Sequence, residues 1–193
     1  MLVYLVRHGQ TTGDVQGRYG GDYDDHLTEL GKRQSADAAK KLSVSAIEII
    51  YCSPKIRAQE TAGIIKEAIN APLVTVPGFR ERNRYGALSG LTETEATQKY
   101  PDQVRMLNDE QKTIAGGEDY ESFGQRIRDA LKKIDTGEHQ VVAIITHGGP
   151  IRYIFREFLK EDGIKIGDCA FVKLKLENGK FAVLELDGIK LNA

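Results

Sequence analysis

Short apolar runs alternate with amphipathic stretches from one end of the chain to the other. Leu2 to Val6 is apolar and short, the pattern of a buried strand. Thr28 can cap a helix running to about Leu42, with Leu30, Ala38, Ala39 and Leu42 facing inward. Ala46 to Cys52 predicts a second strand. Ser53-Pro54 then opens another helix, because Ser caps well and Pro is tolerated at the first helical position. Leu73 to Val76 predicts a short strand ended by Pro77-Gly78. Helical patterning covers Thr92 to Tyr100, Asp102 to Gln111 and Asp119 to Ile134. Val141 to Thr146 is the most apolar strand, and Gly149 to Leu159 reads as a helix. Ala170 to Leu176 and Lys180 to Leu186 alternate with period two around Asn178-Gly179, which predicts a hairpin. The Gly- and Asp-rich stretch from Gly13 to Asp25 reads as a loop.

Strands alternating with helices predict the α/β class: a three-layer α/β/α sandwich on a mostly parallel mixed sheet, with a C-terminal antiparallel hairpin. The chain has 193 residues and shows no solenoid repeat, low-complexity tract or Pro/Ser linker, so a single domain over residues 1–193 is expected. Lys and Arg number 27 against 28 Asp and Glu, a net charge of −1, which disfavours nucleic-acid binding through bulk electrostatics. Cys52 and Cys169 lie far apart and form no CxxC pair, which removes a disulfide scaffold and a zinc ribbon. The N-terminal apolar run is too short for a signal-peptide core, and no run reaches membrane-spanning length. A cytoplasmic protein with no membrane partner is expected. A strand of the terminal hairpin could pair between subunits to make a homodimer.

Two of the four histidines share a context. His8 follows the apolar run Leu2–Val6 and Arg7, and precedes Gly9; His147 follows Val141–Thr146 and precedes Gly148-Gly149. Each sits where a buried strand gives way to a glycine turn, and the carboxyl ends of strands are where open α/β sheets bind ligands. Arg57, at the start of a helix after a strand exit, adds a second guanidinium to that of Arg7. A helix N-terminus with an arginine is a good anion site, and the planar guanidinium matches phosphate oxygens. The flanking arginines would repel a metal cation, and no carboxylate stands at metal-ligand spacing, so neither a metal nor another cofactor is expected. His26 and His139 lie in polar loops, and Tyr4, Tyr51 and Tyr153 in apolar stretches that read as core.

These residues carry a resemblance. Arg7-His8-Gly9-Gln10-Thr11 resembles the RHGxT signature of the histidine phosphatase superfamily, the phosphoglycerate mutase-like proteins. Ser53 to Thr61 resembles its SPxxRAxET segment, Tyr85 to Gly90 the stretch after its acid, and Thr146 to Gly149 its THGG segment, all in the family's order. Gly21 to Asp24, Leu27 to Gly31 and Gly116 to Glu118 fit as intermediate pieces. The resemblance implies His8 as the nucleophile carrying a phosphohistidine, with Arg7, Arg57, His147 and Gly148 on the phosphoryl oxygens. Thr11 would either join them or fix its own loop. Gln10, Gly20, Gly21 and Arg82 would contact substrate, a small phosphorylated metabolite. Asp14, where many relatives have Asn, would turn away or pair with Arg18, and the acids Asp22, Asp24 and Asp25 read as a solvated loop.

The implied proton donor is Glu81. The family's Glu commonly stands four residues before the Gly of the following segment, which here is Arg82; Glu81 stands five before Gly86, as if one residue were inserted. No other acid lies nearby before Glu93. Arginines 80, 82 and 84 flank it as possible salt-bridge partners. The segment from Leu91 to Glu118 holds Lys99, Arg105 and Lys112 against six acids, a poor surround for a bisphosphorylated mutase cofactor. The expectation is therefore a phosphomonoesterase. The alternatives are a phosphoglycerate mutase using 2,3-bisphosphoglycerate, a phosphohistidine or other phosphoprotein phosphatase, and a phosphate-ester-binding module without turnover.

Overall fold

A computed structural model describes residues 1–109, 112–134 and 137–192. Its strands are β1 (Leu2–Arg7), β2 (Ile49–Cys52), β3 (Leu73–Thr75), β4 (Val141–Thr146), β5 (Lys165–Glu177) and β6 (Lys180–Lys190). They form one sheet in the order β3-β2-β4-β1-β5-β6. The first four strands in that order are parallel, and β5 and β6 join antiparallel. Both central strands are buried on both faces, as their unbroken apolar runs require. Val3 and Leu5 pack on one side with Val142, Ile144, Phe123 and Ile127. Tyr4 and Val6 pack on the other with Ala143, Ile145, Ala62 and Ile65.

The covering helices are α2 (Glu29–Leu42) and α3 (Ile56–Ile69) on the second face, and α6 (Tyr120–Ile134) and α7 (Gly148–Ile154) on the first. The short helices α4 (Glu93–Lys99) and α5 (Pro101–Met106) carry a third cluster around Leu88, Ala96 and Ile114. The three-layer α/β expectation therefore holds.

Several boundaries differ from the sequence reading, each for a local reason. Thr28 does cap α2, accepting a hydrogen bond from Gly31 N, but Leu30 is 42% exposed. The buried set is Gly31, Ser35, Ala38, Ala39 and Leu42, and Leu30 lies out of phase with it. Helix α3 starts at Ile56 rather than at Pro54, although the Ser53 hydroxyl still accepts from Lys55 N at 3.2 Å. The 13–25 loop begins inside a one-turn helix, α1 (Thr12–Val15). α5 ends at Met106, and the expected helix end at Gln111 lies outside the described residues. The helix after β4 changes to a π turn over Phe155–Leu159. β5 starts earlier than its alternating run, because a bulge between Ile166 and Phe171 hides the pattern; Cys169 sits there at φ 52°. The hairpin turn is as expected, with Asn178 and Gly179 both at positive φ, as a type I′ turn needs. No described helix is long and apolar enough to cross a membrane.

Candidate active site

The parallel pairing of β1 with β4 sets Arg7 opposite Thr146. The next residues, His8 and His147, therefore leave the sheet side by side, and His8 N donates to Thr146 O at 3.1 Å. Their rings meet edge to face with centroids 5.0 Å apart. The His8 tautomer follows from its partners. Arg57 Nε can only donate, and it lies 3.2 Å from His8 Nε2, so Nε2 carries the lone pair. Nδ1 then holds the proton and donates it to Gly9 O at 2.8 Å. Burial, then Arg57 and Arg7, hold His8 well below its usual pKa, so it is neutral near pH 7.

His147 is fully buried, and its Nε2 lies 2.7 Å from the Ser53 hydroxyl. Its Nδ1 is buried with no hydrogen-bond partner, an orphan polar atom of the sort that ligand sites leave open. Burial, followed by Arg57 and His8, pushes its pKa well down also.

Each arginine is held by an acid. Arg57 is 4% exposed, and its Nη1 bonds Tyr23 O at 2.8 Å and Asp25 Oδ1 at 3.2 Å. Arg7 pairs with Asp168 at 3.2 Å and donates to Ile166 O at 2.8 Å, so the β5 bulge positions it. Asp25 is itself buried, with Oδ2 accepting from Gly13 N at 2.8 Å. Reading the whole acidic run as solvated was thus wrong for Asp25; isolated in sequence, its buried partner could not be seen.

Glu81 follows the 3₁₀ turn Pro77–Phe79, which Thr146 Oγ1 anchors by donating to Phe79 O at 2.7 Å. Arg126 of α6 staples the same loop, donating to Gly78 O, Arg80 O and Glu81 O. The carboxylate accepts from Gly149 N at 3.0 Å and from Arg82 N at 2.7 Å. A Cβ at position 149 would overlap Glu81 Oε1, so glycine there admits the acid. The flanking arginines are engaged elsewhere: Arg80 with Glu118, Arg82 with the carbonyls of Glu118 and Lys112, Arg84 with Leu107 O.

Arg7, His8, Thr11, Arg57, Glu81 and Gly148 line one cleft of about 280 Å³, at the small end for ligand sites. His147, wholly buried, is not part of the lining. Gly20 and Gly21 also line the cleft, although Gly21 O accepts from Arg57 at 3.4 Å. Arg82 reaches it with its guanidinium committed to the two carbonyls and stacked over Tyr120 at 5.4 Å. Gln10 departs from the substrate-side expectation, and Thr11 takes the second of its two expected roles. Gln10 is not in the lining: its side chain accepts from Thr28 Oγ1 at 2.9 Å, and its backbone N bonds Gln34. The Thr11 hydroxyl is bound to Asp14 in a capping box, which settles the fate of Asp14 too; Arg18 pairs with Glu95 instead. Sequence reasoning missed Asp25, Asp168, Ser53 and Arg126. Ser53 heads the SPxxRAxET-like segment but reads there only as a helix cap; the other three stand in no pattern that marks them, and all four act through fold contacts. Among the described residues, no three His, Cys, Asp or Glu side chains group as metal ligands do.

The chain and its fold are similar to those of known proteins. A solved structure, Bacillus stearothermophilus YhfR, superposes with a TM-score of 0.84 over 97% of this chain and 96% of that one, at 27% identity. The metal-independent phosphoserine phosphatase of Arabidopsis thaliana is 33% identical over 79% of this chain, which spans 66% of its length. A 2,3-bisphosphoglycerate-dependent phosphoglycerate mutase of Bartonella henselae is 35% identical over 77% of this chain and 76% of its own. The family model of the histidine phosphatase superfamily (branch 1) matches residues 3–188, and this chain belongs to that superfamily.

Proposed function

We propose that the chain is a metal-independent phosphomonoesterase acting on a small phosphorylated metabolite through a phosphohistidine on His8. One observation carries the reading: His8 is neutral, Nδ1 is tied to Gly9 O, and the Nε2 lone pair stands beside Arg57 at the cleft. That is a nucleophile ready for phosphorus and flanked by the cation that receives the phosphoryl oxygens.

In the first step Nε2 attacks phosphorus, the P–N bond forms and the ester P–O bond breaks. The leaving oxygen takes a proton from the Glu81 carboxyl group. Arg7 and Arg57 hold the equatorial oxygens as charge spreads over them. His147 acts as the tautomer with its proton on Nδ1, which it offers to the same group, while its Nε2 accepts from the Ser53 hydroxyl 2.7 Å away. In the second step Glu81 takes a proton from water, the water oxygen attacks phosphorus and the P–N bond breaks. Phosphate leaves, and neutral His8 and protonated Glu81 are restored. The phosphoserine phosphatase among the relatives supports the hydrolytic reading.

A second reading, phosphoglycerate mutase, draws on the Bartonella henselae relative and on the many arginines of the cleft. The acid-rich segment from Leu91 to Glu118 speaks against it. Turnover of a phosphomonoester panel in EDTA, with and without 2,3-bisphosphoglycerate, separates the two. Phosphate release in EDTA, lost in His8→Ala, is expected. Bisphosphate-dependent isomerisation of 3-phosphoglycerate without phosphate release would establish the mutase; ester binding without turnover would leave only a binding module.

A further inference from the structure

Seven arginines line the cleft against three carboxylates, in a chain of net charge −1. A phosphoryl group on His8 accounts for Arg7 and Arg57. The outer arginines are nearly all engaged by the protein. Arg18 holds Gly90 O and Glu95, and Arg156 makes two bonds to Asp162, at 2.7 and 3.0 Å. Arg82 and Arg156 clamp the Tyr120 ring, at 5.4 and 5.9 Å, and build the far wall. Arg152 differs. Its guanidinium makes no hydrogen bond or ion pair with any described residue, yet the residue lines the cleft half-buried.

Its place is defined. Arg152 stands one turn after Gly148 on α7, and its side chain folds back along the helix toward that residue. Nη1 lies 2.8 Å from where a Cβ on Gly148 would stand, so the missing side chain makes room for the guanidinium. This puts a free planar fork beside Gly148, in the same first turn of α7 whose Gly149 N holds Glu81. A partly desolvated guanidinium with no internal acceptor calls for an anion from the substrate. The cleft holds only a small molecule, and a single fork matches the two oxygens of a carboxylate.

We propose that Arg152 binds a carboxylate carried by the substrate a few bonds from its phosphate ester. The substrates are then small phosphorylated hydroxy or amino acids rather than phosphates of neutral alcohols. This rests on the phosphomonoesterase reading and names the substrate class of the same site.

The test compares kcat/KM on 3-phosphoglycerate and on glycerol 3-phosphate, in which the carboxylate is replaced by a hydroxymethyl group. O-phosphoserine and O-phosphoethanolamine form a second pair. A charge-assisted contact of this kind predicts that the wild type favours the carboxylate member about 10- to 100-fold. Arg152→Met removes that preference, and Arg152→Lys, which keeps the charge without the fork, retains part of it. A wild type without preference overturns the inference. So does an equal loss on both members of a pair, because Arg152 would then hold the phosphoryl group.

Calorimetric binding of both esters to His8→Ala, with and without Arg152→Met, reads the same contact without turnover. Carboxylate preference in binding but no His8-dependent turnover in the wild type would sink the phosphatase reading alone. His8-dependent turnover without any such preference would sink the inference alone. Far tighter, Arg152-dependent binding of 2,3-bisphosphoglycerate than of 3-phosphoglycerate would assign the site to a second phosphate and overturn the carboxylate.

Discussion

Glu81 accepts a hydrogen bond from Gly149 N at 3.0 Å, which ties the acid to the turn that follows His147. The two residues are far apart in sequence, and this bond joins the loop of one to the turn of the other. The loop bearing the acid is held at its other end by Arg126 and by the Thr146 hydroxyl. Acid and second histidine thus share one anchor at the end of β4.

This link makes a prediction about leaving groups. Glu81→Gln keeps the shape of the side chain but cannot supply a proton, and should lower kcat about 10²- to 10⁴-fold on alkyl phosphates. On p-nitrophenyl phosphate, whose leaving group needs no proton, phosphoryl transfer to His8 should slow far less in a single-turnover burst. Gly149→Ala should reproduce that pattern, because its Cβ takes the place of Glu81 Oε1. An equal loss on both esters would show that Glu81 does not protonate the leaving oxygen.

The two depressed histidines make folding stability pH-dependent. Burial and the nearby arginines hold each below the ordinary histidine value of about 6.5 in the folded chain. Above about pH 6.5 both are neutral folded and unfolded, and they add no slope. Below it the unfolded chain takes up protons that the folded chain refuses, so stability falls as pH falls, down to the folded pKa values. The slope is up to about 1.4 kcal/mol per pH unit for each histidine. Urea unfolding from about pH 8 to about pH 5 should show this loss in the wild type and a flatter profile in His8→Asn/His147→Asn. A wild-type and variant difference that is constant with pH would contradict it.

The buried pair of Arg57 and Asp25 predicts a structural cost. Asp25→Ala takes the buried carboxylate from Arg57 and leaves it only the longer carboxylate contact, to the part-exposed Asp24 at 3.7 Å, which costs up to about 3–5 kcal/mol. Inorganic phosphate should restore more stability to this variant than to the wild type, because an anion in the cleft replaces the lost partner. Thermal melts with and without phosphate measure it. An equal phosphate shift in both proteins would mean that Arg57 does not face the anion.

How much of this could be read from the chain depends on range. β1 and β4 are unbroken apolar runs, and each ends in a histidine before glycine, so the meeting of His8 and His147 was legible. The hairpin at Asn178-Gly179 was legible for the same local reason. Glu81 was legible only through a motif with one residue displaced; the structure brings its carboxylate to Gly149 all the same. What was hidden depends on contacts between distant segments. Asp25 looks like its solvated neighbours until Arg57 is packed against it. Asp168 reaches Arg7 through a bulge that erases the strand pattern. The Gln10 and Thr11 side chains, next to His8 in sequence, are drawn off by Thr28 and Asp14.

The account stands or falls on a covalent phosphoryl group at His8. Wild-type protein in EDTA should be mixed with a ³²P-labelled phosphomonoester and quenched in alkali within one turnover. Label on the peptide that contains His8, stable to alkali and lost in mild acid, is the predicted result, with none in His8→Ala. Steady turnover with no protein-bound label, or hydrolysis persisting at the wild-type rate in His8→Ala, would contradict it.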